Sequence, residues 1–313
     1  MGKRDIIEGP AVISFSGHNY YTEGSITLSP DFKPRTLSSS YFGPADRRVT
    51  DKLFSLSFTP CGMMDDNALK YFPWDIDDVG SLLAPSSDLA VEIYASSGVK
   101  LSFPAGVIIS PPQLLLGTDR GPFGSMTIAC MGDLTKVDAA ADAHYTIASA
   151  AISAHTLDWS AVRTPAYKLV LGGDTPTTID GLEGFTLDLR ASVTPRMVNR
   201  YGTVNFKLSA VDPVITFAPA YQTESEMLAL LNIQGTSAAQ LGGSLSLGRS
   251  LTLSPAESGA LGITVVFADC CVESGSMIFG ADDPRHGDYA IVPVLSSGSD
   301  LYTITFPDLT PAE

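Results

Sequence analysis

Short runs rich in Val, Ile, Thr, Tyr and Phe recur along the whole chain, and Gly, Pro, Ser or Asp interrupts them about every eight to fifteen residues. That punctuation leaves no room for long helices and favours antiparallel strands joined by turns. In the first half the runs fall at 11–15, 25–28, 54–59, 89–94, 99–103, 126–129 and 145–148. In the second half they fall at 167–171, 185–189, 204–208, 214–217, 244–253, 263–267, 289–294 and 301–306. Leu56 and Phe58 alternate with Ser55, Ser57 and Thr59, the period of a strand with one buried face. Helix signals are confined to two short stretches. Residues 223–232 (TESEMLALLN) place Thr223 and Glu226 at capping-box spacing ahead of Met227, Leu228 and Leu231. Residues 65–71 (DDNALKY) carry acids in the first turn and stop before Pro73. The Ala-rich stretch 139–154 is expected to hold a strand, because Tyr145, Thr146 and Ile147 favour one.

The two halves of the chain match weakly but in order. Thr27, Leu28, Gly43, Phe58, Pro60 and Leu69 match Thr186, Leu187, Gly202, Phe217, Pro219 and Leu228 at a spacing of 159 residues. Gly117, Asp119, Gly124 and Ile128 match Gly280, Asp282, Gly287 and Ile291 at 163, and Tyr145-Thr146-Ile147 matches Tyr302-Thr303-Ile304 at 157. Both helix candidates follow a strand that ends in Phe-x-Pro. A period this long excludes solenoids and propellers. The expectation is a mainly β protein of two tandem, similar antiparallel β-sandwich or barrel domains, each with one short α-helix. They span 1–157 and 158–313, with the junction in the polar stretch 154–164. A length of 313 residues accommodates two such cores, at roughly 150 residues per domain.

Composition narrows the function classes. The net charge of -15 opposes sequence-specific nucleic-acid binding, which normally presents a basic face, while 44% hydrophobic content excludes an acidic disordered chain. No run of 18 apolar residues exists, so no transmembrane helix is expected. The start, MGKRDIIEGPAVISF, lacks the apolar run and cleavage site of a signal peptide, so a reducing cytosolic compartment is expected. Cys61, Cys130, Cys270 and Cys271 then read as free thiols in or near cores. Adjacent Cys270 and Cys271 would point to opposite faces of a strand and chelate poorly.

Catalytic motifs are scarce. His18, His144, His155 and His286 show neither HExxH nor HxH spacing, and no GxSxG elbow, phosphate loop or GxGxxG turn occurs. Ser97 and Lys100 fit SxxK spacing without the partner motifs of a serine–lysine enzyme, and a turn serine explains them better. The run from Asp282 to Asp288 could bind a divalent cation through carboxylates. Its counterpart, Asp119-Arg120-Gly121-Pro122-Phe123-Gly124, lacks the other acids and the histidine, which favours a charged surface loop in both halves. Asp75, Asp77 and Asp78 read as solvated acids. Neither a catalytic site, a cofactor nor a metal is expected.

Charge placement says more. Segment 31–52 holds Lys33, Arg35, Arg47, Arg48 and Lys52, and segment 190–207 holds Arg190, Arg196, Arg200 and Lys207. These nine are about half of the 19 basic residues, and only Asp31, Asp46 and Asp51 accompany them as acids. Concentration in the corresponding segment of each half points to a basic face that meets an acidic one, as in head-to-tail stacking. Nucleic-acid binding is the competing reading, weakened by the acidic remainder and the lack of regular aromatic interleaving.

Residues 13–28 (ISFSGHNYYTEGSITL), the basic excursion after them and the returning strand 53–60 resemble the opening strands and extended hairpin of phage tail tube proteins of long-tailed, non-contractile phages. The short helix expected after the hairpin and the Ser/Thr/Gly/Pro-rich composition are also similar to that family. The resemblance implies stacked rings in which six β domains surround a channel for DNA. A two-domain chain would close such a ring as a homotrimer with pseudo-sixfold symmetry, a hexamer being the alternative. It further implies a place in the virion tail after synthesis in the bacterial cytoplasm, other tail proteins at the tube ends, and no membrane. The nine basic residues would then serve ring stacking or subunit contacts, and an acidic lumen would let DNA pass non-specifically. The main alternative is a carbohydrate- or ligand-binding β-sandwich, such as a baseplate or decoration protein, with Trp74, Trp159, Tyr20, Tyr21 and Tyr41 as stacking platforms. A β-barrel enzyme is the third.

Overall fold

A computed structural model describes residues 10–15, 18–31, 33–49, 51, 53–61, 79–83, 89–117, 121, 123–131, 145–150, 165–174, 176–198, 202–220, 247–276, 278, 287–295 and 301–307. These residues form antiparallel strands and turns, with no helix among them. The helices expected at 65–71 and 223–232 lie outside the described residues.

The first half begins with β1 (Ala11–Phe15), β2 (His18–Tyr20) and β3 (Thr22–Asp31). A hairpin of β4 (Pro34–Ser39) and β5 (Gly43–Val49) follows, then β6 (Leu53–Pro60), β7 (Val91–Ala95), β8 (Val99–Phe103) and β9 (Ala105–Ser110). It ends with β10 (Leu114–Leu116), β11 (Met126–Met131) and β12 (Thr146–Ser149). One sheet runs in the order β12-β8-β7-β1-β2 and another in the order β3-β6-β11-β9. Their inner faces meet: Phe54 of β6 lies 5.4 Å from Phe103 of β8, and Tyr20 of β2 lies 5.7 Å from Phe58 of β6. Gly106 of β9 is required at this seam, because a Cβ there would strike Val91 of β7. In β6 the expected alternation is visible as buried Leu56 and Phe58 between less buried Ser55, Ser57 and Thr59. Each such large side chain contributes about 1.5–3 kcal/mol by leaving water.

The second half contains β13 (Tyr167–Leu171), β14 (Thr177–Gly181), β15 (Phe185–Asp188), and a hairpin of β16 (Ser192–Val198) and β17 (Gly202–Ala210). Then come β18 (Val214–Phe217), β19 (Pro219–Ala220), β20 (Leu251–Pro255), β21 (Thr264–Phe267), β22 (Cys270–Ser274), β23 (Tyr289–Pro293) and β24 (Tyr302–Thr305). Its sheets run β19-β14-β13-β20-β21-β24 and β10-β15-β18-β23-β22. Leaving aside β10 and β19, the strand orders of the first half recur strand for strand.

The registers recur as well. Leu56 of β6 pairs with Leu28 of β3 and Ile128 of β11, and Ile215 of β18 pairs with Leu187 of β15 and Ile291 of β23. Ile147 faces Leu101 in the first half as Ile304 faces Val265 in the second. The matches Thr27–Thr186, Leu28–Leu187, Phe58–Phe217, Ile128–Ile291 and Ile147–Ile304 therefore occupy corresponding places in paired strands, while Leu69, Leu228, Asp119, Gly280 and Asp282 lie outside the described residues. In the hairpins, Ser39 pairs with Gly43 as Val198 pairs with Gly202, and an irregularity falls one pair further along both.

The junction strand was not legible in the sequence. Three-residue β10, from the first half, pairs with β15 of the second, Leu115 opposite Thr186. Leu114 and Leu116 are fully buried by this placement.

Candidate interaction surface

The basic segments 31–52 and 190–207 are largely the two projecting hairpins. Strands β4 and β16 show no two-residue alternation, because both faces of β4 and most of β16 are accessible, whereas β17 sets buried Phe206 and Leu208 on either side of exposed Lys207. Lys33 stands before β4 with its ammonium 4.0 Å from Asp51, and Arg35, Arg47 and Arg196 are exposed on the strands. Arg48 lies in β5 opposite Arg35, while Lys52 and Arg200 lie outside the described residues. Lys207 is exposed on β17, and its backbone bridges to Leu82 of the first half. By pairing register only Arg48 and Lys207 are equivalent; Arg47 corresponds to Phe206 and Arg196 to Leu37.

Arg190 is built into the base of the second hairpin. It adopts φ 44°, a left-handed conformation costly for a side-chain-bearing residue. Asp188 holds that turn by accepting the Arg190 N–H at 2.9 Å. The guanidinium donates to both carboxylate oxygens of Glu273 at 3.1 and 2.9 Å and lies 3.6 Å from Asp212. This forked bond holds the Glu273 carboxyl below the ordinary range despite the opposing effect of burial.

The contact between the halves is more extensive than the charges alone indicate. Asp51, between β5 and β6, accepts the backbone N–H of Thr203 at 2.9 Å and its hydroxyl at 2.5 Å, and both residues are buried. Thr203 sits near the tip of the second hairpin, so that tip rests on the base of the first. Gly202 makes the approach possible: φ is +75°, and a Cβ would lie 2.6 Å from Asp51 Oδ1. Residues 80–83 run beside β17, where Gly80 and Leu83 donate to the Leu208 and Phe206 carbonyls and Leu208 donates to Ser81. Gln113 reaches across to Asp188 at 2.7 Å. No sequence signal paired Asp51 with Thr203, although the match of Gly43 with Gly202 marked the tip.

Among the described residues, nothing comparable covers the corresponding surface of the first half. Phe206 and Leu208 on β17 are buried, whereas Arg47 and Val49, their equivalents on β5, are exposed. Phe185 and Leu187 on β15 are buried, whereas Ile26 and Leu28 on β3 are only partly so. At the first hairpin's tip, Tyr41 and Phe42 are 85% and 78% exposed, their rings edge to face at 4.7 Å. Both rings therefore stand outside the core.

The other candidates divide plainly. Tyr20 is core and Tyr21 half-buried, so neither forms a platform, and Trp74 and Trp159 lie outside the described residues. Lys100 donates to Glu92 at 2.6 Å on the outer face of β7 and β8, and Ser97 occupies the turn between them. The run Asp282–His286 is outside the described residues, and among those described no group of three His, Cys, Asp or Glu is placed to hold a metal. Cys130 and Cys270 are buried free thiols, and Cys61 and Cys271 are partly buried. No described helix is long and apolar enough to cross a membrane. No protein-family model matches the chain, and no curated protein is significantly similar to it.

Proposed function

We propose that the chain carries one β-sandwich domain twice, over 1–157 and 158–313, each copy with a short helix after its hairpin. In this reading it is a structural, non-enzymatic protein that assembles with copies of itself into stacked rings. The tube so formed is a phage tail tube through which DNA passes without specific contacts. Three chains supply the six domains of a ring, other tail proteins close the tube ends, and the assembled protein resides in the virion.

The observation that carries this reading is the repeated strand order joined by a one-directional seam. The first half lends β10, residues 80–83 and Asp51 to the second half, while no described residue covers the matching surface of the first half in the same way. A surface that is complementary head to tail generates rings or filaments, not two-fold dimers. The exposed arginines on the hairpins supply charge for contacts between rings, and the net charge of -15 keeps phosphates from sticking to the channel.

Size measurement and negative-stain microscopy of purified protein test it. Trimers, rings or salt-sensitive tubes are expected. A monomer at high concentration and every ionic strength would sink the reading and leave the ligand-binding sandwich in its place. Arg47→Glu with Arg48→Glu should impair stacking while leaving the fold intact, because both residues belong to a projecting hairpin.

A further inference from the structure

We infer that the tip of the first hairpin of one chain seats on the base of the second hairpin of the next, with Pro44 against Ala210. This rests on the self-assembly proposed above and names the contact through which chains join.

One chain already contains such a contact in polar form. The tip of the second hairpin rests on the base of the first, and Gly202, Thr203 and Asp51 are all buried there. The backbones approach closely, since a Cβ on Gly202 would lie 3.3 Å from the Asp51 Cα. The base is charged, with the Lys33 ammonium 4.0 Å from the Asp51 carboxylate. The tip supplies that carboxylate with two donors, the Thr203 N–H and hydroxyl.

The hairpin registers identify the residues equivalent to both partners. Ser38 pairs with Pro44 as Met197 pairs with Thr203, so Pro44 corresponds to Thr203. Pro34 pairs with Val49 as Val193 pairs with Leu208, and the following strands keep the same spacing, with Leu56 corresponding to Ile215. Asp51 therefore corresponds to Ala210. Lys33 corresponds to Ser192, which pairs with Ala210 across the base of the second hairpin.

Tip and base change together between the halves. Where the tip carries donors, at Thr203, the base carries an acceptor, at Asp51. Pro44 has neither an N–H nor a hydroxyl, and the Ala210 side chain has no acceptor. Exchanging the partners would bury the Thr203 hydroxyl against an alanine, or the Asp51 carboxylate against a proline, and an unmet buried polar group is costly. The second base is also the smaller one, Ser192 and Ala210 standing where the first has Lys33 and Asp51, and it faces the bulkier tip that carries Tyr41, Phe42 and Pro44. Within one chain Pro44 and Ala210 are both exposed, so this second pairing is not made there. A second copy makes it, and the same head-to-tail step repeated generates a ring.

Disulfide trapping in the full chain tests the contact, in a background with Cys61→Ser and Cys271→Ser. Pro44→Cys protein mixed with Ala210→Cys protein should give a covalent dimer on non-reducing gels that neither gives alone. A chain carrying both changes should give a ladder that ends at a trimer. The chemistry is tested by rebuilding the internal pair across chains. Ala210→Asp alone sets a carboxylate against a proline and should raise the concentration needed for assembly by roughly tenfold, the equivalent of about 1.4 kcal/mol. Adding Pro44→Thr supplies the donors and should restore assembly. Both positions are exposed in one chain, so these variants should keep the parent's urea midpoint. Rings or tubes that form without the mixed disulfide would overturn this contact and leave the assembly reading standing. The mixed disulfide without rings or tubes would support the contact and overturn the tube. Neither disulfide nor assembly would overturn both.

Discussion

Asp51 and Thr203, 152 positions apart, form a doubly bonded buried pair that fastens the second hairpin's tip to the base of the first. Removing the carboxylate leaves two Thr203 donors without an acceptor, and removing the hydroxyl leaves a buried charge short of one donor. Asp51→Ala should cost about 3 kcal/mol and Thr203→Val about 2 kcal/mol of unfolding free energy. The double variant should cost less than the two together, because both changes remove one interaction. Urea unfolding of the four proteins measures this; additive losses would show that the pair does not act as a unit.

Gly24 in β3 (φ +77°) and Gly184 just before β15 (φ +82°) share a left-handed backbone but should respond differently to substitution. Gly24→Ala faces open space and meets only the left-handed backbone penalty of about 1–2 kcal/mol. Gly184→Ala adds a collision with β10 and should cost about 3 kcal/mol or more. Amide exchange at Leu115 and Thr186 should accelerate in the Gly184 variant alone.

An acid-sensitive contact lies on the outer face of the first sheet. Burial pushes the Glu92 carboxyl up, but hydrogen bonds from Lys100, Tyr94 and Ser102 and the Lys100 charge outweigh it, leaving Glu92 below the ordinary carboxylate value of 4.5. A depressed folded-state value stabilises the fold above the unfolded value, and that stability is lost as pH falls through the folded one. Glu92→Gln should therefore be less stable than the parent near neutrality and converge with it in acid. Parallel urea titrations across pH 2–7 check this, and a constant gap would contradict it.

Thiol reactivity should follow burial. Desolvation drives the Cys130 thiol far up and pushes Cys270 up to about 12, so neither supplies thiolate near neutral pH. Native alkylation read by mass spectrometry should modify Cys61 and Cys271 first, and Cys130 and Cys270 only on unfolding. Prompt labelling of Cys130 would show that the first-half core opens locally.

What could be read from the sequence tracks how each strand is solvated. β6, β7 and β8 bury one face and leave the other more accessible, so Leu56, Phe58, Ile93 and Leu101 fall at alternate positions. β9 is buried on both sides through Ala105–Ile108 and shows no alternation, and the exposed hairpin strand β4 shows none for the opposite reason. The weak matches between halves proved the better guide, since they mark corresponding pairs such as Ile128 with Leu56 and Ile291 with Ile215. The basic clusters located the hairpins but not the partners. Arg190 is engaged by Glu273, and Asp51 by a threonine that no local pattern singles out.

Strand β10 also sets a schedule for synthesis. Leu114 and Leu116 leave the ribosome about 70 residues before Phe185 and Leu187 do, a wait of roughly 4–14 s at 5–20 residues per second. Throughout that interval a newly made first half carries two leucines whose proper cover has not yet been translated. Neighbouring nascent chains on one message are then the nearest wrong partners. Slowing translation between 117 and 184 would lengthen that exposure and should increase entanglement of newly made chains.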